Sequence, residues 1–155
     1  MIPVTISPAD MSGWRSPLKS ELTLDSSLGK ERGDSLLRAQ ADFNGDSKID
    51  VANILINDKE NKMGLFVELG GYPGQCFQLD EINDKSWAEI MGISIAKPGN
   101  YKTACGKGYW KCKKNEPGEL ELKLPAIDYF KEGSASSFFI WDKKEKTFNR
   151  IWMSD

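Results

Sequence analysis

Eight short apolar runs, separated by polar turns, constrain this chain more than any other feature. They cover residues 36–41, 49–56, 64–69, 75–82, 90–95, 119–124, 137–141 and 148–153. Valine, isoleucine, leucine and aromatics fill them. The stretches between them read "NGD", "NDKENK", "GGYPG", "KPGN", "NEPGE" and "DKKEKT". Runs this short, bounded by Gly, Pro, Asn and Asp, predict antiparallel strands. "ELELKL" alternates strictly, as a strand with one wet face should. "SFFIW" and "FNRIWM" flank "DKKEKT" and predict a C-terminal hairpin. Helix is scarcer. Ser7 as N-cap with Pro8 at the first helical position predicts one short helix in "SPADMSGW". A second is expected in "DEINDKSWAEIM". The expectation is a mainly β fold, or α+β with one or two short helices. No linker divides residues 1–155, so they form a single antiparallel, hairpin-rich domain.

That length suffices to bury a real core. The formal net charge is −2, from 21 basic and 23 acidic residues. So even a balance gives no electrostatic case for nucleic acid. No apolar run approaches the length of about 18 residues that a membrane-spanning helix needs. The opening Met1-Ile2-Pro3-Val4 lacks the basic start and apolar stretch of a signal peptide. A mature exported chain with its leader removed and a start Met added would look the same.

Three cysteines, Cys76, Cys105 and Cys112, leave an odd count. Cys105 and Cys112 flank "GKGYWK", whose glycines allow the chain to fold back within disulfide reach. The competing state is three free, buried thiols. The bridge is the expectation, and it would place the chain in an oxidising compartment. The chain has no CxxC and no His, so no tetrahedral zinc set is visible.

Residues 42–50, "DFNGDSKID", place Asp42, Asn44, Asp46 and Asp50 at positions 1, 3, 5 and 9 of a tight loop. Lys48, at position 7, would offer its backbone carbonyl. Hard cations such as Ca²⁺ collect oxygen ligands in this way. Carboxylates so crowded repel one another unless something positive sits between them. The plainer reading is a polar turn, because Asn-Gly alone favours a hairpin and Asp favours turns. An EF-hand would want Gly and Glu where Ser47 and Asn53 stand. The segment "DFNGDSKIDVA" resembles the calcium loop of FG-GAP or VCBS-type repeats, found in integrin-like and exported bacterial proteins. The resemblance covers residues 36–69 or so, one repeat only, and therefore excludes a full propeller. It implies a structural calcium ion held between two strands. Ser47 departs from the family's usual Gly.

Tyr109, Trp110, Lys111, Lys113 and Lys114 cluster in "YWKCKKN". They are a candidate contact patch for an acidic partner, against the alternative of a solvated lysine face. Trp14, Trp87, Trp110, Trp141 and Trp152 are expected mostly in the core, although exposed members would suit sugar stacking. Trp141 and Trp152 are candidates to pair across the final hairpin. "GNYKTACGKGYW" fails as a phosphate loop on spacing. Without His there is no Ser-His-Asp or Cys-His set, and no G-x-S-x-G occurs. The expectation is therefore not an enzyme. The leading functional reading is an exported, periplasmic or secreted protein-binding domain. In that reading it inhibits a toxin or hydrolase, as an immunity protein does against a secreted antibacterial effector. The alternatives are a carbohydrate- or cell-surface-binding module and a His-free hydrolase using paired acids.

Overall fold

The computed structural model describes residues 3–22, 36–71 and 74–155. These hold twelve strands, arranged in antiparallel sheets, and three short 3-10 helices. The fold is mainly β, a single small domain with no closed barrel or propeller among the described residues.

The first sheet is built on β4 (Asp50–Asn57), β5 (Lys62–Glu68) and β6 (Cys76–Ile82). β1 (Val4–Ile6) adds to β6. β2 (Trp14–Arg15) and β3 (Arg38–Ala41) share the far side of β4, each along a different part of it. In the second sheet, β7 (Met91–Ala96), β10 (Ala126–Lys131), β11 (Ser136–Asp142) and β12 (Thr147–Ser154) run in that order, so β12 is an end strand. β8 (Gly99–Lys102) and β9 (Glu119–Leu122) form a separate ribbon.

Two adjacent carbonyls link the large sheets. Leu37 accepts the Ile54 N–H at 2.9 Å, and Leu36 accepts the Ile93 N–H at 2.8 Å. The sheets then face each other across the main core. Ile54, Leu65, Val67, Phe77 and Leu79 point in from the first, and Ile93, Ile127, Tyr129, Phe139 and Phe148 from the second. Phe139 has no exposed surface, and truncating such a ring to Ala costs about 3–5 kcal/mol. A smaller cluster, Ala96, Leu122, Ala126, Phe138 and Met153, packs with Tyr101 and Leu120 of the ribbon. The second sheet is thus covered on both faces.

All eight expected runs are strands to within a few residues. β10 lies outside them, although it is the centre of the second sheet. Its sequence "AIDYFK" neither alternates nor forms an apolar run. β1, β2 and β8 are too short to show a period. The two expected helices are single 3-10 turns, Pro8–Met11 and Lys85–Glu89. At the first, Ser7 donates its N–H and hydroxyl to the Asp10 carboxylate, which is the reverse of an N-cap. At the second, Asp84 is the cap and accepts the Ser86 N–H at 3.0 Å. The turn "GGYPG" falls partly outside the described residues.

The pairing of Trp141 with Trp152 is corrected. The turn at 143–146 sets Asp142 opposite Thr147, which puts Trp141 opposite Phe148 and Trp152 opposite Ser137. The rings of Trp141 and Phe148 meet edge to face at 5.1 Å, as aromatic quadrupoles prefer.

Candidate binding surface and acidic loop

Residues 42–50 join β3 to β4 and wrap around one carboxylate. Asp42 Oδ1 accepts the N–H groups of Gly45 at 2.8 Å and Asp46 at 3.1 Å, and its Oδ2 accepts that of Ser47 at 2.8 Å. Asp46 Oδ1 accepts the Lys48 N–H at 2.9 Å, and its Oδ2 meets only the Asn44 amide at 3.5 Å. Ser47 has φ +67°, the left-handed conformation that Gly adopts without strain. The departure at this position is therefore in the side chain and not in the backbone.

Asp50 has a different task. It is fully buried, and its two oxygens accept N–H groups from Phe43 and Gly70, each at 2.8 Å. Burial pushes its carboxyl above the usual range. The two N–H groups oppose that shift, and the charges of Asp46 and Asp42 add to it. Asp50 therefore clasps the loop to the β5–β6 connection. Gly70 permits the approach, since a Cβ there would stand 2.4 Å from the Ile49 carbonyl.

As calcium donors, Asp42, Asn44 and Asp46 offer hard oxygens that retain unused lone pairs, and the type of donor fits. The three aspartates do not, however, bring one oxygen each within 4.8 Å of one another. Among the described residues, that condition is met only by Cys105, Cys112 and Glu116. Those two sulfurs are joined as a disulfide with Cα atoms 5.0 Å apart, so they are not thiolate ligands. The disulfide is the expected one. Cys76 is free, its thiol pushed up to about 11 by burial and then by the Glu68 charge.

The disulfide closes a lobe that leaves β8 and returns to β9. Thr103, almost completely buried, anchors its base by donating its hydroxyl to the Pro117 carbonyl at 2.7 Å and accepting the Gly106 N–H at 3.2 Å. Only Gly fits at 106, because a Cβ would lie 1.9 Å from the Gly118 oxygen. The lobe docks on β12, where Ala104 donates its N–H to the Trp152 carbonyl and Lys107 Nζ donates to that of Met153, both at 2.8 Å.

The five candidate contact residues lie together on this lobe. Tyr109 is 53% exposed, and Lys111 and Lys113 are exposed. Trp110 is half-buried, with its indole N–H donated to both Glu116 oxygens at 3.2 and 3.1 Å. Glu116 also accepts the Lys113 N–H, the main reason its carboxyl is held below the usual range, with the Trp110 bond next. Between the lobe and β12 lies a cleft of about 420 Å³, lined by Lys113, Lys114 and Glu116 on one side and Asn149, Arg150 and Trp152 on the other. Trp152 is the most exposed of the five tryptophans at 37%, with the Arg150 guanidinium 4.2 Å from its ring centre. Arg150 was not singled out from the sequence, and Trp152 only as one of five tryptophans and as a hairpin partner for Trp141. "FNRIWM" reads as an ordinary strand, and only its place at the sheet edge exposes it.

A larger cleft of about 550 Å³ follows the β8–β9 ribbon. Glu119 and Glu121 line it from one strand, and Asn100, Tyr101 and Lys102, which face them, include no acid. Set against models of known protein families, curated protein sequences and solved structures, the chain matches none.

Proposed function

We propose that this chain is a non-catalytic protein-recognition domain of an exported bacterial protein, acting as an inhibitor or immunity protein against a secreted effector. The observation that carries the reading is the basic and aromatic surface on the disulfide lobe. Tyr109, Lys111 and Lys113 stand exposed on a lobe that a disulfide and the buried Thr103 hold in place. Exposed aromatics and cations on a pre-ordered support bind proteins at low entropic cost. The disulfide is also consistent with an oxidising compartment such as the periplasm. In this reading the 42–50 loop is a staple. Asp42, Asn44 and Asp46, the Lys48 carbonyl and Asp50 would draw closer together to hold a calcium ion that neutralises their charge and pins the hairpin.

The test is affinity capture from source cells with wild type and a Tyr109→Ser/Lys111→Glu variant. A partner retained by wild type and lost by the variant is expected, and equal recovery by both overturns the proposed surface. For the inhibitor role, cells deleted for this gene should be killed in contact with unmodified kin. Equal survival overturns it.

A further inference from the structure

The end strand β12 is covered by the lobe at one end only. The Trp152 carbonyl points away from β11, because it accepts the Ala104 N–H of the lobe. Along a strand, N–H and C=O groups two residues apart point to the same side. Arg150 and Phe148 therefore direct theirs outward too, and the bulge at Ser136/Ser137 lies beyond them. Among the described residues, no hydrogen bond reaches those outward groups. The 420 Å³ cleft opens along this edge, from Asn149 to Trp152.

The charge around the edge is net positive. Residues 111–116 hold three lysines and one glutamate, and that glutamate is engaged with Trp110 and Lys113. The turn 143–146, which leads into β12, again holds three lysines and one glutamate, all exposed. These positive stretches stand out on a chain of net charge −2. Lysines at a sheet edge repel a second copy of the same edge. They attract an acidic strand for the same reason.

We infer that the free edge of β12 takes an extended, acidic segment of the partner protein as an added strand. The outward groups of Phe148 and Arg150 would pair with its backbone, Trp152 would pack under alternate side chains, and Lys113 and Lys114 would face its carboxylates. This rests on the recognition reading above and deepens it.

The test uses the isotope-labelled full chain and three short synthetic peptides: alternating Glu-Val, the same peptide N-methylated at every peptide nitrogen so that neither of its edges can donate, and alternating Lys-Val. The Glu-Val peptide should shift the amides of 148–152 and slow hydrogen exchange at Arg150 and Phe148. The other two should not. Lys113→Glu with Lys114→Glu should weaken Glu-Val binding about tenfold, the effect of two exposed charge pairs. No shift at 148–152 with millimolar Glu-Val peptide overturns the inference, as does equal binding of the N-methylated form. If capture still depends on Tyr109 and Lys111 after such a result, the edge is lost and the recognition domain stands. Edge binding by Glu-Val without any captured partner supports the edge and counts against the recognition reading.

Discussion

The Arg150 guanidinium on β12 lies 3.5 Å from the Asp80 carboxylate on β6 and so joins the two facing sheets. Both side chains are largely shielded from water. The same guanidinium lies over the rings of Tyr129, Phe139 and Trp152 and donates Nε–H to the Ser137 hydroxyl at 3.0 Å. One cation thus holds β12 to the core and supports Trp152 from beneath.

Removing one partner strands the other charge in poor solvent, while removing both does not. Asp80→Asn should lower stability by about 1–3 kcal/mol. With Arg150→Met added, the loss should be less than the sum of the single losses. Urea denaturation of the four-protein cycle measures this. Strict additivity would mean the pair is not coupled.

The calcium staple predicts a ligand-dependent melting point, because an ion that binds only the folded loop stabilises it by mass action. Wild type should melt higher in millimolar calcium than in chelator. Asp46→Ala should remove most of that difference and melt close to wild type in chelator. Equal melting of wild type in both buffers rules out a bound ion.

Arg15 organises the N-terminal segment. It pairs with Glu21 at 2.8 Å and Asp58 at 2.7 Å, and Lys85 adds to Asp58 at 2.9 Å. The Arg15 bond is the largest cause in each case, holding Glu21 down at about 2 and Asp58 well below the usual carboxylate range. Depressed folded-state values mean that this stability is present above the unfolded value, about 4, and is lost as pH falls towards 2. Arg15→Met should therefore flatten the fall of melting temperature over that window. An unchanged acid profile would show that the network adds nothing. The exposed partners and high salt both keep the effect small.

The sequence shows the strands better than the surfaces. Periodicity and turn chemistry locate β4, β5, β6 and the final hairpin, because each has one clear apolar pattern between strong turn residues. β10 is hidden because it is covered on both faces and yet keeps Asp128 in its middle. The spacing of Cys105 and Cys112 reveals the lobe. Its docking on β12 depends on contacts nearly fifty residues apart, such as Lys107 to Met153, which no local pattern carries. The Asp42-to-Asp50 spacing marks a loop, but it does not reveal that Asp50 is a buried clasp.

Asp128, the single carboxylate of β10, is poorly satisfied. Its Oδ1 is buried without a hydrogen-bond partner, and its Oδ2 meets only the Ser94 hydroxyl at 3.4 Å. Burial raises its carboxyl above the usual range against the weaker effect of Ser94. A raised folded-state value means that its contribution is favourable at low pH and is lost as pH rises through that value. Asp128→Asn should therefore raise the melting temperature at neutral pH by a few degrees and lose that advantage near pH 3, below the usual carboxylate value of about 4. A variant no more stable than wild type at pH 7 would show that the carboxylate is adequately solvated.

The Cys105–Cys112 bridge closes a loop with a sequence separation of seven, which by chain entropy is worth about 2–3 kcal/mol. Its contacts are confined to the lobe and the end of β12, so its loss should loosen the lobe before the sheets. In Cys105→Ser/Cys112→Ser, hydrogen exchange should accelerate at Ala104, whose N–H holds the Trp152 carbonyl, and at Tyr109, bonded to the Ala104 carbonyl at 3.1 Å. The Ile54 and Ile93 amides, which join the sheets through Leu37 and Leu36, should stay protected. Uniform acceleration at all four would show that lobe and sheets unfold as one unit. In that case reduction would unfold the whole domain and not only loosen the lobe.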